Sequence, residues 1–271
     1  MKIMVFESLI NHKTAEKKPM LVFFMGFFYV SISIILCFFV FPSSPSMPVI
    51  FFTALACTPF MVRVIKYDQK ETEEEMKHSL IGDHRDIFLV YSSLFLGFVF
   101  AFVLWFLFLP SSVSSLIFEA QIETINNITG KAVSDSSFWS ILFNNFKVLA
   151  LCVLFSFLYG AGAVFILSWN ASVISTAIAN LIRTKIALLG FNLTIIPMSF
   201  LRYFLHGIPE LFAYLIGGIA GGIISAVIIR ENSRKVFFKM FFDAIDLIII
   251  AFLLLILGAL IEVGVSPIIM V

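Results

Sequence analysis

The chain has 271 residues and a formal net charge of +1 at pH 7, and 61 % of its residues are hydrophobic while only 13 % are charged. Soluble globular domains carry about a quarter charged residues, so the composition excludes that class and indicates an all-α polytopic membrane protein. The near-neutral charge, without a clustered basic face, also argues against nucleic acid as a partner.

The first two predicted elements form an N-terminal transmembrane hairpin. Residues 20–41 are an apolar run that ends at a turn rich in proline and serine, and residues 49–62 are a shorter run that contains Pro59. A helix needs about 20 apolar residues to cross the hydrocarbon core, so the second run is marginal. Lys18 precedes the first run and Arg63 follows the second. The positive-inside rule therefore predicts that both open ends are cytoplasmic.

A strongly polar segment, residues 66–86, follows the hairpin. Its run of acidic residues followed by Lys77 is typical of a solvated helix with i,i+4 charge pairs. The segment also contains four residues of metal-ligand type, His78, Asp83, His84 and Asp86. Because its two histidines have no recognised ligand spacing, we interpret the segment as a solvated cytoplasmic loop and predict no metal site.

The third predicted span, residues 87–109, ends at Pro110 and leads into an outer segment, residues 111–145. This segment contains a single basic residue, Lys131, and a modest amphipathic stretch. The scarcity of Lys and Arg predicts that it forms an external loop.

The hydropathy pattern predicts the fourth and fifth crossings less clearly. Residues 146–169 predict the fourth span, and the basic residues after the glycine-rich run 212–229 are expected in the cytoplasm. One more crossing must therefore lie within residues 170–206. Arg183 and Lys185 interrupt that stretch, so we expect a broken segment with both residues near the cytoplasmic face.

The last two predicted elements are the glycine-rich helix and residues 243–262. Pro209 is expected to start the glycine-rich helix and to place Glu210 in its first turn, where negative charge is favoured. Asp243 and Asp246 are expected in the first turn of the last helix for the same reason. The count gives a five-span core plus the hairpin, with the N-terminus inside and the C-terminus outside.

Several polar residues then fall at the outer end of the predicted bundle. The predicted cluster comprises Asn144, Asn145, Arg202, His206, Gly207, Glu210 and Glu262. A carboxylate or imidazole at membrane depth is costly and suggests a function by default. Three interpretations stay open: the cluster stabilises the bundle, with Arg202 or His206 neutralising Glu210; it binds a partner or ligand; or it moves a proton or an ion.

A second pattern places small residues at every fourth position, which predicts close helix packing in lipid. The predicted packing positions are Gly160, Gly162, Gly217, Gly218, Gly221 and Gly222. The sequence contains no HExxH, GxSxG or P-loop motif, and no strand precedes the glycines, so we predict neither catalysis nor a cofactor. The three cysteines lie in apolar runs without a Cys-x-x-Cys pair and are interpreted as small apolar residues.

Four features follow one another in a recognisable order. Asn144-Asn145 opens a span that continues through Gly160 and Gly162, Asn170 closes it, His206-Gly207 precedes Glu210-Leu211 and the glycine-rich helix, and Glu262 and Pro267 stand near the C-terminus. In these features the sequence resembles the stage II sporulation protein M family. The resemblance covers residues 87–267 and excludes the hairpin, and Ala171 stands where a glycine often follows the asparagine.

The resemblance implies a non-enzymatic integral membrane protein. In spore formers the family member anchors peptidoglycan-remodelling partners on the outer side of the membrane, and those partners are not carried over to this chain. We predict a multi-pass scaffold of the cell membrane that docks envelope or membrane-remodelling proteins through the polar cluster and residues 111–145. The alternative is a transporter or channel that uses the His206–Glu210 region and broken helices.

The prediction divides the chain into three parts and names three kinds of partner. The parts are a cytoplasmic tail with the hairpin in residues 1–65, a cytoplasmic polar loop in residues 66–86, and the membrane core in residues 87–271. The partners considered are the lipid bilayer, other envelope proteins and a second copy of the chain.

Overall fold

A computed structural model describes residues 18–75, 85–135, 138–159, 163–229 and 234–264 of the chain. All regular structure in these ranges is helical. The helices are α1 Pro19–Val40, α2 Ser46–Glu75, α3 Arg85–Phe108, α4 Ser111–Ile117, α5 Glu119–Asp135, α6 Phe138–Tyr159, α7 Ala163–Leu189, α8 Ile195–Ile229 and α9 Arg234–Gly264. Within the described ranges, seven of them are long and apolar enough to cross a membrane. The predicted fold class, an all-α polytopic bundle, is confirmed.

The long helices form two groups that meet along α7 and α8. In the first group α1 packs on α3, and both α2 and α3 pack on α7. In the second group α8 packs on α6 and α9. Large side chains such as Tyr91 and Phe102 are buried inside the bundle, while Phe39 and Phe108 are 76 % and 82 % exposed on its outside. An exposed aromatic side chain on a spanning helix is covered by lipid, so it is not a defect of the fold.

The hairpin is an integral part of the first group because glycines bring α1 and α3 close together. A Cβ atom added at Gly26 would lie 2.7 Å from the backbone oxygen of Leu94, and one added at Gly97 would collide with the backbone oxygen of Phe23. Side chains larger than hydrogen are therefore excluded at both positions. This is the close approach that small residues permit between membrane helices.

The predicted boundaries of α6 and α7 are wrong. The fourth span starts at Phe138 and not at residue 146, and α7 is one continuous helix of 27 residues that contains Asn170. It ends at Gly190, whose φ of 77° lies in the left-handed region that glycine adopts without strain. The expected break at Arg183 does not occur, because its guanidinium finds hydrogen-bond acceptors within the bundle, at Ser114 Oγ and on α3.

The prediction also placed Arg183 and residues 111–145 at opposite ends of the bundle, and this is wrong. The guanidinium of Arg183 donates hydrogen bonds to the backbone oxygen of Leu109 and to Ser114 Oγ, at 3.1 and 3.0 Å, where α3 ends and α4 begins. Arg183 therefore lies at the same end of the bundle as residues 111–135. The error arose because the prediction started this crossing after Asn170, whereas α7 begins at Ala163. Arg183 is therefore farther along the helix, and farther across the membrane, than predicted.

Prolines and acidic residues also misled the prediction of helix starts. Helix α8 has 35 residues and passes through Pro209, so Glu210 lies in the helix interior and not in a first turn. Helix α9 begins at Arg234, which places Asp243 and Asp246 beyond its first turn. Membrane helices tolerate an internal proline because neighbouring groups satisfy the freed carbonyl. The helix-dipole explanation for Glu210 therefore does not apply.

Helix α2 is longer than its apolar run suggested. It passes through Pro59 and continues to Glu75, and its apolar part Ser46–Ile65 is long enough to span. Residues 76–84 lie outside the described part of the chain, and so do the side chains of His78, Asp83, His84 and Asp86.

Candidate functional site

The candidate site is built where α8 packs against α6. An added Cβ atom at Gly221 would collide with the backbone oxygen of Val153, and one at Gly217 would collide with the side chain of Leu149. Gly218 lies equally close to α7, since its added Cβ atom would be 2.7 Å from that of Ala163. The small residues thus let the helix axes approach, which brings their polar side chains within reach of one another.

Gly222 is also buried in α8. Gly160 and Gly162 lie outside the described residues, so their predicted packing role stays a prediction.

The centre of the site is a hydrogen bond between Asn145 of α6 and Glu210 of α8. Asn145 Nδ2 donates to Glu210 Oε1 at 2.6 Å, and the asparagine side chain is only 8 % exposed. A short hydrogen bond to a carboxylate is stronger than one between neutral groups. Both residues belong to the predicted cluster, and the structure brings them together although they are 65 positions apart in sequence.

A second carboxyl group and a phenol complete the site. The carboxyl group of Glu262 in α9 is close enough to interact electrostatically with that of Glu210. Tyr214, which is 4 % exposed, stands four residues after Glu210 on α8 and lies within electrostatic range of both carboxyl groups. The hydrogen bond joins α6 to α8, and Glu262 of α9 adds a second carboxyl group within electrostatic range. We call Asn145, Glu210, Tyr214 and Glu262 the inner polar cluster.

The other predicted cluster residues take different places. Asn144 is exposed, and the guanidinium of Arg202 lies over the ring of Tyr203, 5.6 Å from its centroid. Arg202 and Glu210, both of which have described side chains, form no ion pair. Gly207 is buried, and an added Cβ atom would meet only Ile174 within ordinary contact distance. His206 lies in α8, but its side chain is outside the described part of the structure.

Sequence reasoning missed Tyr214. It stands four residues after Glu210, and this spacing puts two side chains on the same face of a helix. That signal was present, but a tyrosine in an apolar run is more often an ordinary core residue.

A second polar network lies under residues 111–135, which sequence reasoning expected to be a loop. Gln121 is 1 % exposed, accepts a hydrogen bond from Ser46 Oγ at 2.8 Å, and donates one to Ser172 Oγ at 3.2 Å. Phe118 packs edge-on against Phe102 and Phe106. Phe118, between α4 and α5, and Gln121 of α5 therefore anchor this segment to α2, α3 and α7.

The outward side of the same segment forms an open trough of about 670 Å³. Its lining residues are Ser112, Ser115, Leu116, Glu119, Ile122, Glu123, Asn126 and Asn127. We call this surface the α4–α5 trough. Six of its eight lining residues have polar side chains, and Glu119 and Glu123 are both exposed in it.

The described part of the chain holds no cluster of three or more His, Cys, Asp or Glu side chains that could hold a metal ion. The cysteines Cys37, Cys57 and Cys152 are free and buried.

Comparison with protein families identifies the bundle. The family model described as Stage II sporulation protein M matches residues 88–267, which is more than half of the chain. The chain belongs to the stage II sporulation protein M family. Comparisons with curated proteins and with solved structures find no match.

The stage II sporulation protein M match confirms the predicted resemblance and its extent. It begins in α3 and includes α4 to α9, so the inner polar cluster and the α4–α5 trough both lie within it. Helices α1 and α2 lie outside the match, although α1 packs closely on α3. In this member of the stage II sporulation protein M family, the matched core is therefore packed together with an additional hairpin.

Proposed function

We propose that the protein is a non-enzymatic scaffold of the cell membrane that docks other envelope proteins on the α4–α5 trough. The observation that carries the proposal is that this segment presents an open trough with two exposed carboxylates on one side and is hydrogen-bonded to the bundle on the other. A membrane-spanning core that holds such a surface in a fixed position could anchor a bound envelope protein to the membrane.

The anchoring gives the trough a fixed shape before any partner binds. The hydrogen bonds of Gln121 join α5 to Ser46 of α2 and Ser172 of α7. Phe118, which is 1 % exposed, adds an aromatic contact with α3. A surface that is already ordered loses less conformational entropy on binding, which favours affinity.

The charge of the trough specifies the chemistry of the partner. Glu119 and Glu123 are exposed and lie one turn apart on α5, and the rest of the lining is uncharged. Such a surface favours a partner that presents Lys or Arg, and the attraction accelerates their encounter. The scarcity of Lys and Arg in residues 111–145 supports an external trough, with the N-terminus in the cytoplasm and the C-terminus outside.

The inner polar cluster is assigned a different part in this scaffold. Asn145 is nearly fully buried and Glu210 is partly buried between helices, so neither offers a broad surface to another protein. We assign docking to the trough and assign the cluster to the joint between α6, α8 and α9.

Site-specific cross-linking in native membranes tests docking. A photoreactive amino acid at Asn126, inside the trough, is expected to give discrete adducts with one or a few envelope proteins. The same group at Phe39, which is 76 % exposed on a spanning helix, is the lipid-facing control and is expected to give none of these adducts. The double variant Glu119→Gln/Glu123→Gln is expected to reduce adduct yield, because it removes the charge that attracts a basic partner.

The variant Ser111→Lys is the charge control. Ser111 is exposed on α4 but does not line the trough, so this change alters the charge at the same end of the bundle without entering the binding surface. Docking on the trough is contradicted if Asn126 gives no adduct beyond those of Phe39. It is also contradicted if the double variant, accumulated to a normal level, gives an unchanged yield.

Ion transport is the second candidate function. The observation that favours it is the pair of interacting carboxyl groups, Glu210 and Glu262, within spanning helices. Flux assays in proteoliposomes distinguish the two functions. Movement of an ion that stops in Glu210→Gln would favour transport, and no movement over a broad panel of ions and solutes would exclude it.

A further inference from the structure

A shallow apolar cleft lies on the side of the bundle where α8 meets α3 and α7. Its lining includes Phe95, Ile174, Tyr203, Phe204, Gly207 and Ile208. Apart from the phenol of Tyr203, the described lining is apolar. Phe95 and Ile208 belong to segments that are long and apolar enough to cross a membrane, so the cleft lies at the depth of the hydrocarbon and faces lipid.

The cleft is open because α8 has no side chain at Gly207. An added Cβ atom there would meet only Ile174 Cδ1, at 3.8 Å, whereas one added at Gly218 would lie 2.7 Å from the Cβ atom of Ala163. Helices α7 and α8 therefore leave more room beside Gly207 than at Gly218. Ile208, at the rim of the cleft, is 43 % exposed, so the space is accessible from the lipid side.

A permanent positive charge stands beside one end of the cleft. The guanidinium carbon of Arg202 lies 5.6 Å from the centroid of the Tyr203 ring, which lines the cleft. Arg202 is partly exposed, so the guanidinium is accessible from outside the bundle. A guanidinium is charged at any physiological pH and carries donors in a planar fork that matches a phosphate.

The contacts between α7 and α8 place Arg202 near one surface of the membrane. Gly207 and Gly218 contact α7 in an order that makes the two helices antiparallel. With a rise of about 1.5 Å per residue, Arg202 lies roughly 8 Å from the level of Gly207, and Arg183 lies roughly 14 Å from it in the same direction. Arg183 is hydrogen-bonded to the end of α3. The guanidinium of Arg202 is therefore within about one helical turn of that end, a distance that an arginine side chain covers by extending towards the interface.

We propose that Arg202 and the apolar cleft form a binding site for one anionic phospholipid. The guanidinium of Arg202 donates hydrogen bonds to the lipid phosphate, and one acyl chain lies in the cleft beside Gly207 and Ile208. Guanidinium and phosphate form strong, charge-assisted hydrogen bonds. A basic group between spanning helices is also an arrangement that binds anionic headgroups.

The lipid site and the docking trough are independent of each other. The cleft is formed by α3, α7 and α8, whereas the trough is formed by α4 and α5. Loss of lipid binding with normal cross-linking at the trough would therefore concern this site alone.

Native mass spectrometry of the purified full-length protein tests the site. The protein is equilibrated in detergent with equal amounts of dioleoyl phosphatidylglycerol and dioleoyl phosphatidylethanolamine, which differ only in the headgroup. The wild type is expected to retain one phosphatidylglycerol, with a preference of about fivefold, because one basic residue contributes about this much to the binding of an anionic lipid. Added glycerol phosphate is expected not to displace the lipid, since it has no acyl chain for the cleft.

Variants connect the preference to the two parts of the site. Arg202→Gln is expected to abolish the preference for phosphatidylglycerol. Arg202→Lys is expected to keep part of it, because an ammonium group keeps the charge but not the planar fork of donors. Ile208→Trp covers the cleft from its rim without changing the charge, and it is expected to lower the retention of phosphatidylglycerol.

Lys147→Gln is the matched control. The ammonium group of Lys147 also lies over an aromatic ring, 4.6 Å from the centroid of Phe143, and the residue is exposed on α6, but it does not line the cleft. The change removes the same charge as Arg202→Gln and is expected to leave the preference intact. The Tm of each variant in the same detergent verifies that it is folded.

Three outcomes would overturn the proposal. The first is a wild type that retains the two lipids equally. The second is an equal loss of preference in Arg202→Gln and Lys147→Gln, which would show that only the total charge matters. The third is displacement of the lipid by glycerol phosphate, which would show a phosphate site without a role for the cleft. If Arg202→Gln does not fold, Ile208→Trp decides, and unchanged retention in that variant contradicts the site.

Discussion

At the scale of single residues, Arg183 shows how this membrane protein accommodates a charge through hydrogen bonds to oxygens of the backbone and of a serine. The guanidinium donates to the backbone oxygens of Phe106 and Leu109 and to Ser114 Oγ, and it lies over the ring of Phe106, 4.7 Å from the centroid. The last carbonyls of a helix have no partner within the helix and carry partial negative charge. Arg183 therefore provides hydrogen-bond donors for the carbonyl oxygens at the end of α3, and these bonds hold α7 against α3.

Replacing Arg183 with leucine is expected to destabilise the bundle. The variant leaves several carbonyl oxygens without a donor, and the loss of hydrogen bonds made by a charged group costs on the order of 2–3 kcal/mol. Arg183→Lys is expected to recover only part of this, because an ammonium group is a point charge and cannot reproduce the planar fork of donors. The free energy of unfolding, measured in mixed micelles by denaturant titration, checks both.

Lys185 provides the control, since it stands two residues later in α7 and is partly buried without a described hydrogen bond or ion pair. Lys185→Met is expected to change the free energy of unfolding by less than about 0.5 kcal/mol, as is usual for a position without special contacts. Equal losses in Arg183→Leu and Lys185→Met would show that the contacts with α3 contribute nothing particular.

The sequence identifies part of the candidate site at this scale but not all of it. Glu210 and Glu262 stand out because ionisable residues are rare in apolar runs, and their shared depth follows from the count of spans. Tyr214 does not stand out, because a hydrophobicity pattern does not distinguish a tyrosine from the apolar residues around it. In one interpretation Arg202 or His206 neutralised Glu210, but the guanidinium of Arg202 lies over the ring of Tyr203, a contact that only side-chain packing decides.

At the scale of helices, glycines determine how closely α8 approaches α6. The added Cβ atom at Gly221 meets the backbone oxygen of Val153, whereas at Gly217 it meets the end of the Leu149 side chain. A backbone atom cannot move without displacing its helix, but a side chain can change rotamer. The two glycines therefore differ in what they allow, although the sequence pattern treats them alike.

Alanine substitution is expected to separate these positions. Gly221→Ala is expected to destabilise the protein by about 1–3 kcal/mol, because overpacking forces the helices apart. Gly217→Ala is expected to lower the free energy of unfolding by less, because the side chain of Leu149 can change rotamer. A separation of α6 and α8 is also expected to lengthen the distance between Asn145 and Glu210, so the hydrogen bond between them should weaken in Gly221→Ala. The free energy of unfolding of the two variants, measured by denaturant titration, checks the order of the losses.

Gly207 is the matched control on the same helix. Its added Cβ atom meets only Ile174 Cδ1, at 3.8 Å, which is an ordinary contact. Gly207→Ala is expected to be neutral or stabilising by up to about 1 kcal/mol, because alanine loses less backbone freedom in a helix than glycine does. A large loss of stability in Gly207→Ala, equal to that of Gly221→Ala, would contradict steric packing as the cause.

Helix ends were harder to predict than helix number for a physical reason. Hydropathy reports which residues lipid tolerates, so it finds seven spans correctly. It does not report whether a proline or an arginine inside a span finds partners in neighbouring helices. Pro209 and Arg183 were therefore interpreted as a start and as a break, although α8 and α7 pass through them.

At the scale of the whole molecule, the contacts between helices determine their relative directions. Gly26 of α1 contacts Leu94 of α3, and Trp105, farther along α3, donates a hydrogen bond to Ser31, farther along α1. These two helices therefore run in the same direction. Ser175 with Val99, and then Arg183 with Leu109, show in the same way that α7 runs parallel to α3.

Helices α6 and α8 also run parallel to each other, since Gly217 contacts Leu149 and Gly221 contacts Val153. The first, third and fifth spans therefore share one direction, and the fourth and sixth spans are parallel to each other. This is the arrangement expected if each spanning helix crosses the membrane once and the chain turns back after each crossing.

The alternating directions give a labelling prediction for the intact cell. Cysteines introduced at Ser112 in the trough and at Asn192 in the turn between α7 and α8 are expected to react with a membrane-impermeant maleimide added outside. A cysteine at Lys18, before α1, is expected to react only after the cells are opened. Ser112 and Asn192 are both exposed, and α7 ends at the end of the bundle where α4 lies.

The native cysteines do not interfere with this measurement, because Cys37, Cys57 and Cys152 are each 0 % exposed. Opening the cells serves as the internal control that every introduced cysteine is reactive. Labelling of residues 112 and 192 from opposite compartments would mean that α7 does not run parallel to α3 across the membrane. It would also place the trough and the α7–α8 turn on different sides, and the arrangement of the seven spans described above would be wrong.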